Sequence, residues 1–135
     1  MSINIDSPPT ISWVHDHVEI IDQTLLPAEL RVIALRSVDE VVDAIERLAV
    51  RGAPAIGACG AYGVVVAIDE LVAAGSPVGP DDLGPLAEQI ADARPTAVNL
   101  RWAVDRVVDR IAPLTTATDR RAAALAEAQA VFAED

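Results

Sequence analysis

Lysine is absent from the sequence, so all ten basic side chains are arginine. Asp and Glu together number 21, and the formal charge is -11 at pH 7. A chain so poor in positive charge repels nucleic acid and anionic lipid over most of its surface. Neither nucleic acid nor a membrane is expected as a partner. A phosphate would have to meet a local, well-placed arginine, which makes each arginine informative. Cysteine is nearly absent too: Cys59 stands alone, which excludes an internal disulfide and a multi-cysteine metal site. Aromatic residues make up only 3% of the chain, so its core must come from Ala, Val, Leu and Ile. No long apolar run opens the chain, because Asp6, Ser7, Pro8 and Pro9 interrupt it, and no signal peptide is expected. The longest uncharged stretch, Gly52 to Ile68, carries four Gly and a Pro and reads as a buried helix. The expected location is cytoplasmic.

What is present fits one folded domain. The 135 residues are 52% hydrophobic and 23% charged, enough to bury a core without staples. The expected fold class is α+β, a small antiparallel three-stranded meander followed by a bundle of about five helices. The division falls at residues 1–36 for the meander and 37–135 for the bundle. Short Val- and Ile-rich runs, Thr10–Val14, Val18–Asp22 and Leu30–Ala34, supply the strands. From Ser37 the apolar spacing turns helical through Val38, Val41, Val42, Ile45, Leu48 and Ala49. Ser37 with Glu40 predicts a capping box, Asp43 with Arg47 an i,i+4 pair, and Gly52 a helix stop. Pro54 opens a second helix on which Gly57, Gly60 and Gly63 recur, predicting close approach of a neighbouring helix. A third helix is expected from Asp82 to Ala93, with Pro85 in its first turn. A fourth follows Arg94-Pro-Thr96 and runs to Ile111. The fifth begins near Thr118 and is still helical in pattern at Phe132.

Two junctions could carry chemistry. Arg51 and Gly52 stand before the Pro-started helix, whose first turn has N–H groups without intrahelical partners. Such an end attracts anions, and a neighbouring guanidinium can grip phosphate oxygens. Alternatively, Arg51 complements the end of the preceding helix and Gly52 merely caps it. Arg94-Pro-Thr-Ala-Val-Asn99 repeats the arrangement, with Thr96 as cap and Asn99 one turn inside. Both arginines facing one anion would explain the pair, although each could be a simple helix junction. His15-Asp-His17 lacks the third or fourth ligand that a metal needs, and predicts a hairpin turn with solvated histidines. Trp13 and Trp102 are expected in a core or an interface.

Val50-Arg-Gly-Ala-Pro-Ala-Ile-Gly57, Ala61-Tyr-Gly63 and Arg94-Pro-Thr-Ala-Val-Asn-Leu-Arg-Trp-Ala103 together resemble methylthioribose-1-phosphate isomerase. Asp22-Gln-Thr-Leu-Leu-Pro27 and Ser37 to Ile45 match the opening of that family, in the same order and spacing. The resemblance implies an aldose–ketose isomerase of methionine salvage that interconverts 5-methylthioribose 1-phosphate and 5-methylthioribulose 1-phosphate. It implies no metal and no organic cofactor, a small-molecule sugar phosphate as partner, and a homodimer for full-length members. It places Arg51, Gly52, Ala53 and Arg94 in substrate-binding roles. The catalytic Cys of the family, in a Thr-His-Cys-Asn segment, and its catalytic Asp have no match here. No catalytic residue is therefore assigned, and the chain is expected to be an N-terminal, substrate-binding portion without the Rossmann-like domain. Cys59 lies in the Gly-rich apolar helix and is expected to pack as a small hydrophobe. The same superfamily includes ribose-1,5-bisphosphate isomerases and regulatory subunits of initiation factor 2B. Those relatives typically read Ser-Leu-Pro-Asn where this chain reads Asn99-Leu-Arg-Trp102, but a regulatory or binding module is the alternative function.

Overall fold

The computed structural model describes residues 10–133. Three strands, β1 (Ile11–Val14), β2 (His17–Ile21) and β3 (Val32–Leu35), form an antiparallel sheet in chain order. The expected meander is present, with each strand displaced by one or two residues from the sequence reading. Ile11 pairs with Ile20, and Ile20 with Ile33, so one face of the sheet carries a row of apolar side chains toward the bundle.

Five helices follow: α1 (Val38–Glu46), α2 (Ala53–Ala73), α3 (Pro80–Ala91), α4 (Val98–Ile111) and α5 (Ala117–Ala133). The α+β class holds. Helix α2 is central, with residues Ile56 through Ile68 buried without a break. By length and composition it could cross a membrane, but 72% of its apolar window is covered by the other elements. Its glycines do what their spacing predicts. A Cβ at Gly57 would stand 3.3 Å from the Asn99 carbonyl oxygen, and one at Gly60 would stand 2.5 Å from Leu100 Cδ1. Gly63 instead faces Val41 of α1 and Ile90 of α3. The contacts also fix direction, because Gly57 meets Asn99 and Ala103 while Gly60 meets Leu100 and Val104. Numbers rise together along both helices, so α2 and α4 run parallel and start at the same end. Helix α5 runs the other way: Arg121 pairs with Asp69, and Phe132 packs near Tyr62.

Several local expectations are corrected. Helix α1 does not reach Gly52. It ends at Arg47, and Leu48 takes the left-handed conformation at φ 61° that a glycine usually fills. The amide of Ala49 bonds back to the Ala44 carbonyl at 2.9 Å, and Ala49 and Val50 are buried. Their burial explains the early stop. The capping box is half formed: Ser37 Oγ accepts from the Glu40 amide, but the Glu40 carboxylate accepts from the Arg36 amide rather than that of Ser37. Pro85 is not in a first turn, since α3 begins at Pro80, where Asp82 accepts from the Gly79 amide. Thr96 does not cap α4: the cap is Ala97, and Asn99 is the second helical residue rather than a turn inside.

Candidate functional site

Helix starts are electropositive, and proteins commonly satisfy them with their own side chains. Three of the five helices here do so. Ser37 accepts at the start of α1, Asp82 at α3, and Thr116 Oγ1 accepts from the Asp119 amide at α5. Each of those helices also has acidic residues in its first turn. Helices α2 and α4 differ on both counts, with no side-chain cap and no acid in the first turn. These are the two helices that run parallel and start side by side. Two adjacent positive helix ends sum to roughly one unit charge.

The arginines divide the same way. Arg31, Arg36, Arg47, Arg101, Arg106, Arg110 and Arg121 are paired with carboxylates. Arg120 donates to the carbonyls of Leu114 and Val78. The guanidinium groups of Arg51 and Arg94 alone have no hydrogen-bond or ionic partner among the described residues. Arg51 is exposed and Arg94 half-buried, each a few residues before one of the two uncapped helices. Gly52 is the N-cap of α2, with φ 89°, a conformation that side chains rarely adopt. No atom lies within 4 Å of where its Cβ would be, so conformation rather than crowding demands glycine there. Ala53, exposed, opens the helix. The structure thus brings Arg51, Gly52 and Ala53 to the same end of the bundle as the junction carrying Arg94. That end can offer backbone N–H groups and two uncommitted guanidinium groups to an anion.

Asp22 was given no site role by the sequence reading, yet it sets the approach to Arg51. The residue is buried, and its Oδ1 accepts from Thr24 N and Thr24 Oγ1 while Oδ2 accepts from Arg47. Burial raises its pKa, but the bonds from Thr24 and Arg47 outweigh burial and hold it below the usual 3.8. Arg47 ends α1, and the next amide but one belongs to Ala49, whose carbonyl accepts from Gln23 at 2.8 Å. Asp22 therefore ties the segment leading into Arg51 to the sheet. An Asp two residues before a Thr at the end of an apolar strand was the available signal.

Other sequence candidates fall elsewhere. Cys59 is fully buried inside the bundle, and burial pushes its thiol up to about 12, so it stays protonated and inert. His15 is exposed, as expected of a turn, but His17 is 6% exposed and lies between two carboxylates. The expectation of two solvated histidines is corrected: His17 lies on the sheet face opposite Val18 and Ile20, yet it is nearly closed off, with Asp16 and Glu19 bonded to its ring. Trp13 is half-buried and stacked on Tyr62, whereas Trp102 is 55% exposed beneath the Arg106 guanidinium and is not a core residue. Among the described residues no group of three or more His, Cys, Asp or Glu side chains is arranged to hold a metal ion.

No family model matches the chain. Individual proteins do. Methylthioribose-1-phosphate isomerase of Desulforamulus reducens is 41% identical over 127 residues, 93% of this chain and 37% of that protein. The likeness to methylthioribose-1-phosphate isomerases thus extends over nearly the whole of this chain. A 5-deoxyribose 1-phosphate isomerase of Moorella thermoacetica is 46% identical over 129 residues, covering 93% of this chain and 36% of that protein. The fold matches 5-methylthioribose 1-phosphate isomerase of Pyrococcus horikoshii OT3 with a TM-score of 0.83 and 30% identity, over 96% of this chain and 37% of that one. It matches translation initiation factor eIF-2B, subunit delta, of A. fulgidus with a TM-score of 0.85 and 39% identity, over 96% and 38%. The chain thus spans a little over a third of the length of the relatives it matches.

Proposed function

We propose that this chain is the substrate-phosphate-binding portion of a methylthioribose-1-phosphate isomerase, acting on a sugar 1-phosphate in the cytoplasm as part of methionine salvage. The observation that carries the proposal is the coincidence of two features at one place. The helices without side-chain caps are the ones preceded by the arginines whose guanidinium groups have no partner among the described residues, and they start together. In the proposed complex Arg51 and Arg94 grip the phosphate oxygens from two sides. The amides at the start of α2 donate to the same group, with Gly52 giving the ligand room and Ala53 presenting the first helical N–H. Charge-assisted bonds of this kind contribute about 1.5–3 kcal/mol each.

Binding is the whole of this portion's role. Isomerisation must open a ring whose anomeric carbon carries the phosphate and then move hydrogen between the first two carbons. That demands a positioned acid–base pair. The family's catalytic Cys and Asp have no match in these residues, and Cys59 is too buried and too basic to stand in. We therefore propose that the 135-residue chain binds the sugar phosphate without turning it over. The domain expected to supply catalysis, and any homodimer, belong to the full-length protein. Contacts confined to the phosphate end would serve methylthioribose 1-phosphate and 5-deoxyribose 1-phosphate alike, since the two differ at the opposite carbon.

The test is an assay of the 135-residue chain with methylthioribose 1-phosphate, combined with calorimetric binding of the same compound. Binding without turnover is the expected result. Appreciable turnover would show that a catalytic pair is present after all, and absence of binding would remove the proposed role. The likeness to the eIF-2B delta subunit favours one other function, a regulatory binding module. Specific capture of purified initiation factor 2B subunits, with no binding of the sugar phosphate, would establish that alternative.

A further inference from the structure

The β1–β2 turn carries a histidine that the candidate site does not use. His17 begins β2 and is 6% exposed. Its Nδ1 lies 2.9 Å from Asp16 Oδ1, and its Nε2 lies 3.0 Å from Glu19 Oε2. An ionised carboxylate only accepts, and a neutral imidazole has a single N–H to donate. Both bonds are made at once only by the imidazolium. Loss of the proton would leave a ring lone pair against a carboxylate in a nearly closed place.

The turn is fastened to the bundle through Trp13. Its indole N–H donates to the His15 carbonyl at 2.8 Å, and its ring stacks on Tyr62 of α2 at 5.7 Å between centroids. The Arg121 guanidinium of α5 stands 5.9 Å from the Trp13 ring centroid and is held by Asp69 of α2. Around the histidine, Arg36 pairs with Asp16 at 3.5 Å, and Asp16, Arg36, Asp69, Glu70 and Arg121 line one open hollow. The nearest charges to His17 are thus two acids on its own hairpin and Arg36 beyond β3, with Arg121, Asp69 and Glu70 behind them.

We propose that protonated His17 is a clasp, holding Asp16 of the β1–β2 turn to Glu19 of β2 and thereby steadying the turn whose His15 carbonyl anchors Trp13, and that deprotonation releases the turn. The bonds to Asp16 and then Glu19 raise the His17 pKa above 6.5, outweighing burial and the Arg36 charge. The sign follows from a folded-state value above the unfolded one. The clasp is complete below 6.5 and is lost as pH rises through the raised value. Nothing in this device depends on the sugar-phosphate site.

The test uses the 135-residue chain carrying His15→Gln and Trp102→Phe, which leaves one histidine and one tryptophan. Nitrogen-15 NMR follows the His17 ring, and fluorescence follows Trp13, across the same pH range. The expected result is a His17 midpoint above 6.5, both ring N–H protons visible on the acid side, and a Trp13 emission change with the same midpoint. Asp16→Asn and Glu19→Gln should each move that midpoint down, and His17→Gln should flatten the emission profile. A midpoint at or below 6.5, or Trp13 emission indifferent to His17 titration, would overturn the clasp. Should His17→Gln fail to fold, the two carboxamide variants decide the matter: a midpoint that neither of them moves also overturns it.

Discussion

The start of α2 and α4 and the opposite end of α2 treat positive charge in contrary ways. At the far end, Arg121 is gripped by Asp69, with Nε 2.6 Å from Oδ1 and a second bond through Nη2. At the near end, the guanidinium groups of Arg51 and Arg94 stand without partners among the described residues, beside helix starts that carry neither cap nor acid. In a chain of charge -11, acids are abundant enough to neutralise every arginine. Their absence from one place is therefore the informative feature. A cation already paired contributes structure, whereas an unpaired one keeps its charge for a ligand.

That contrast depends first on the seam that sets α2 and α4 parallel, so the seam is where it can be broken most severely. Leu100 is fully buried against Gly60, and Leu100→Ala should cost about 2–5 kcal/mol in a denaturant unfolding experiment. Gly60→Ala attacks the same seam from the other side. The added methyl would stand 2.5 Å from Leu100 Cδ1 and 3.1 Å from Val104 Cγ2, and overpacking of this kind costs about 1–3 kcal/mol. Since Leu100 Cδ1 is the end of a flexible side chain, the double variant should recover part of the loss of either single one.

The approach to Arg51 offers a milder lever. Asp22→Asn removes a buried charge bonded to Thr24 and Arg47, at a cost of about 1–3 kcal/mol. Because the Asp22 pKa is depressed in the fold, its contribution is present above 3.8 and is lost as pH falls through the lower folded value. Unfolding midpoints of Asp22→Asn should accordingly decline less steeply toward acid than those of the unaltered chain. The smallest effect has the opposite sign. Gly84 lies within α3 with open space where a Cβ would go, so Gly84→Ala should stabilise by about 0.5–1 kcal/mol. Being remote from the α2 and α4 starts, it should leave anion binding unchanged.

The order of strands and helices was legible because apolar periodicity changes from two to three-and-a-half residues at Ser37, and the glycines of α2 announced a close neighbour. Which neighbour, and in which direction, was not, since Gly57 and Gly60 meet residues some forty positions away. The left-handed Leu48 was hidden because nothing in a leucine marks that conformation; the burial of Ala49 and Val50 imposes it. His17 was misjudged as solvated because polar turn residues usually are, and nothing in the sequence shows that the Asp16 and Glu19 carboxylates close over its ring. Arg51, Gly52 and Arg94 were singled out by their places before two helices, and the family resemblance added Ala53 and the binding roles. The lack of acids at the starts of α2 and α4 was visible in the sequence, in the contrast with Asp39, Asp82 and Asp119 elsewhere, but the uncapped start of α4 was not, because Thr96 stood where a cap was expected.

Phosphate titration followed by backbone-amide NMR tests the central claim most directly. The amides of Gly52, Ala53, Val98 and Asn99 should shift together with one apparent Kd. Arg51→Ala and Arg94→Ala should each weaken binding roughly 10- to 100-fold, the equivalent of about 1.5–3 kcal/mol. Arg101→Ala changes net charge equally but removes a cation already held by Glu88 and Asp92, and it should leave the Kd nearly unchanged. Shifts at only one helix start, or equal weakening by all three substitutions, would contradict a shared site.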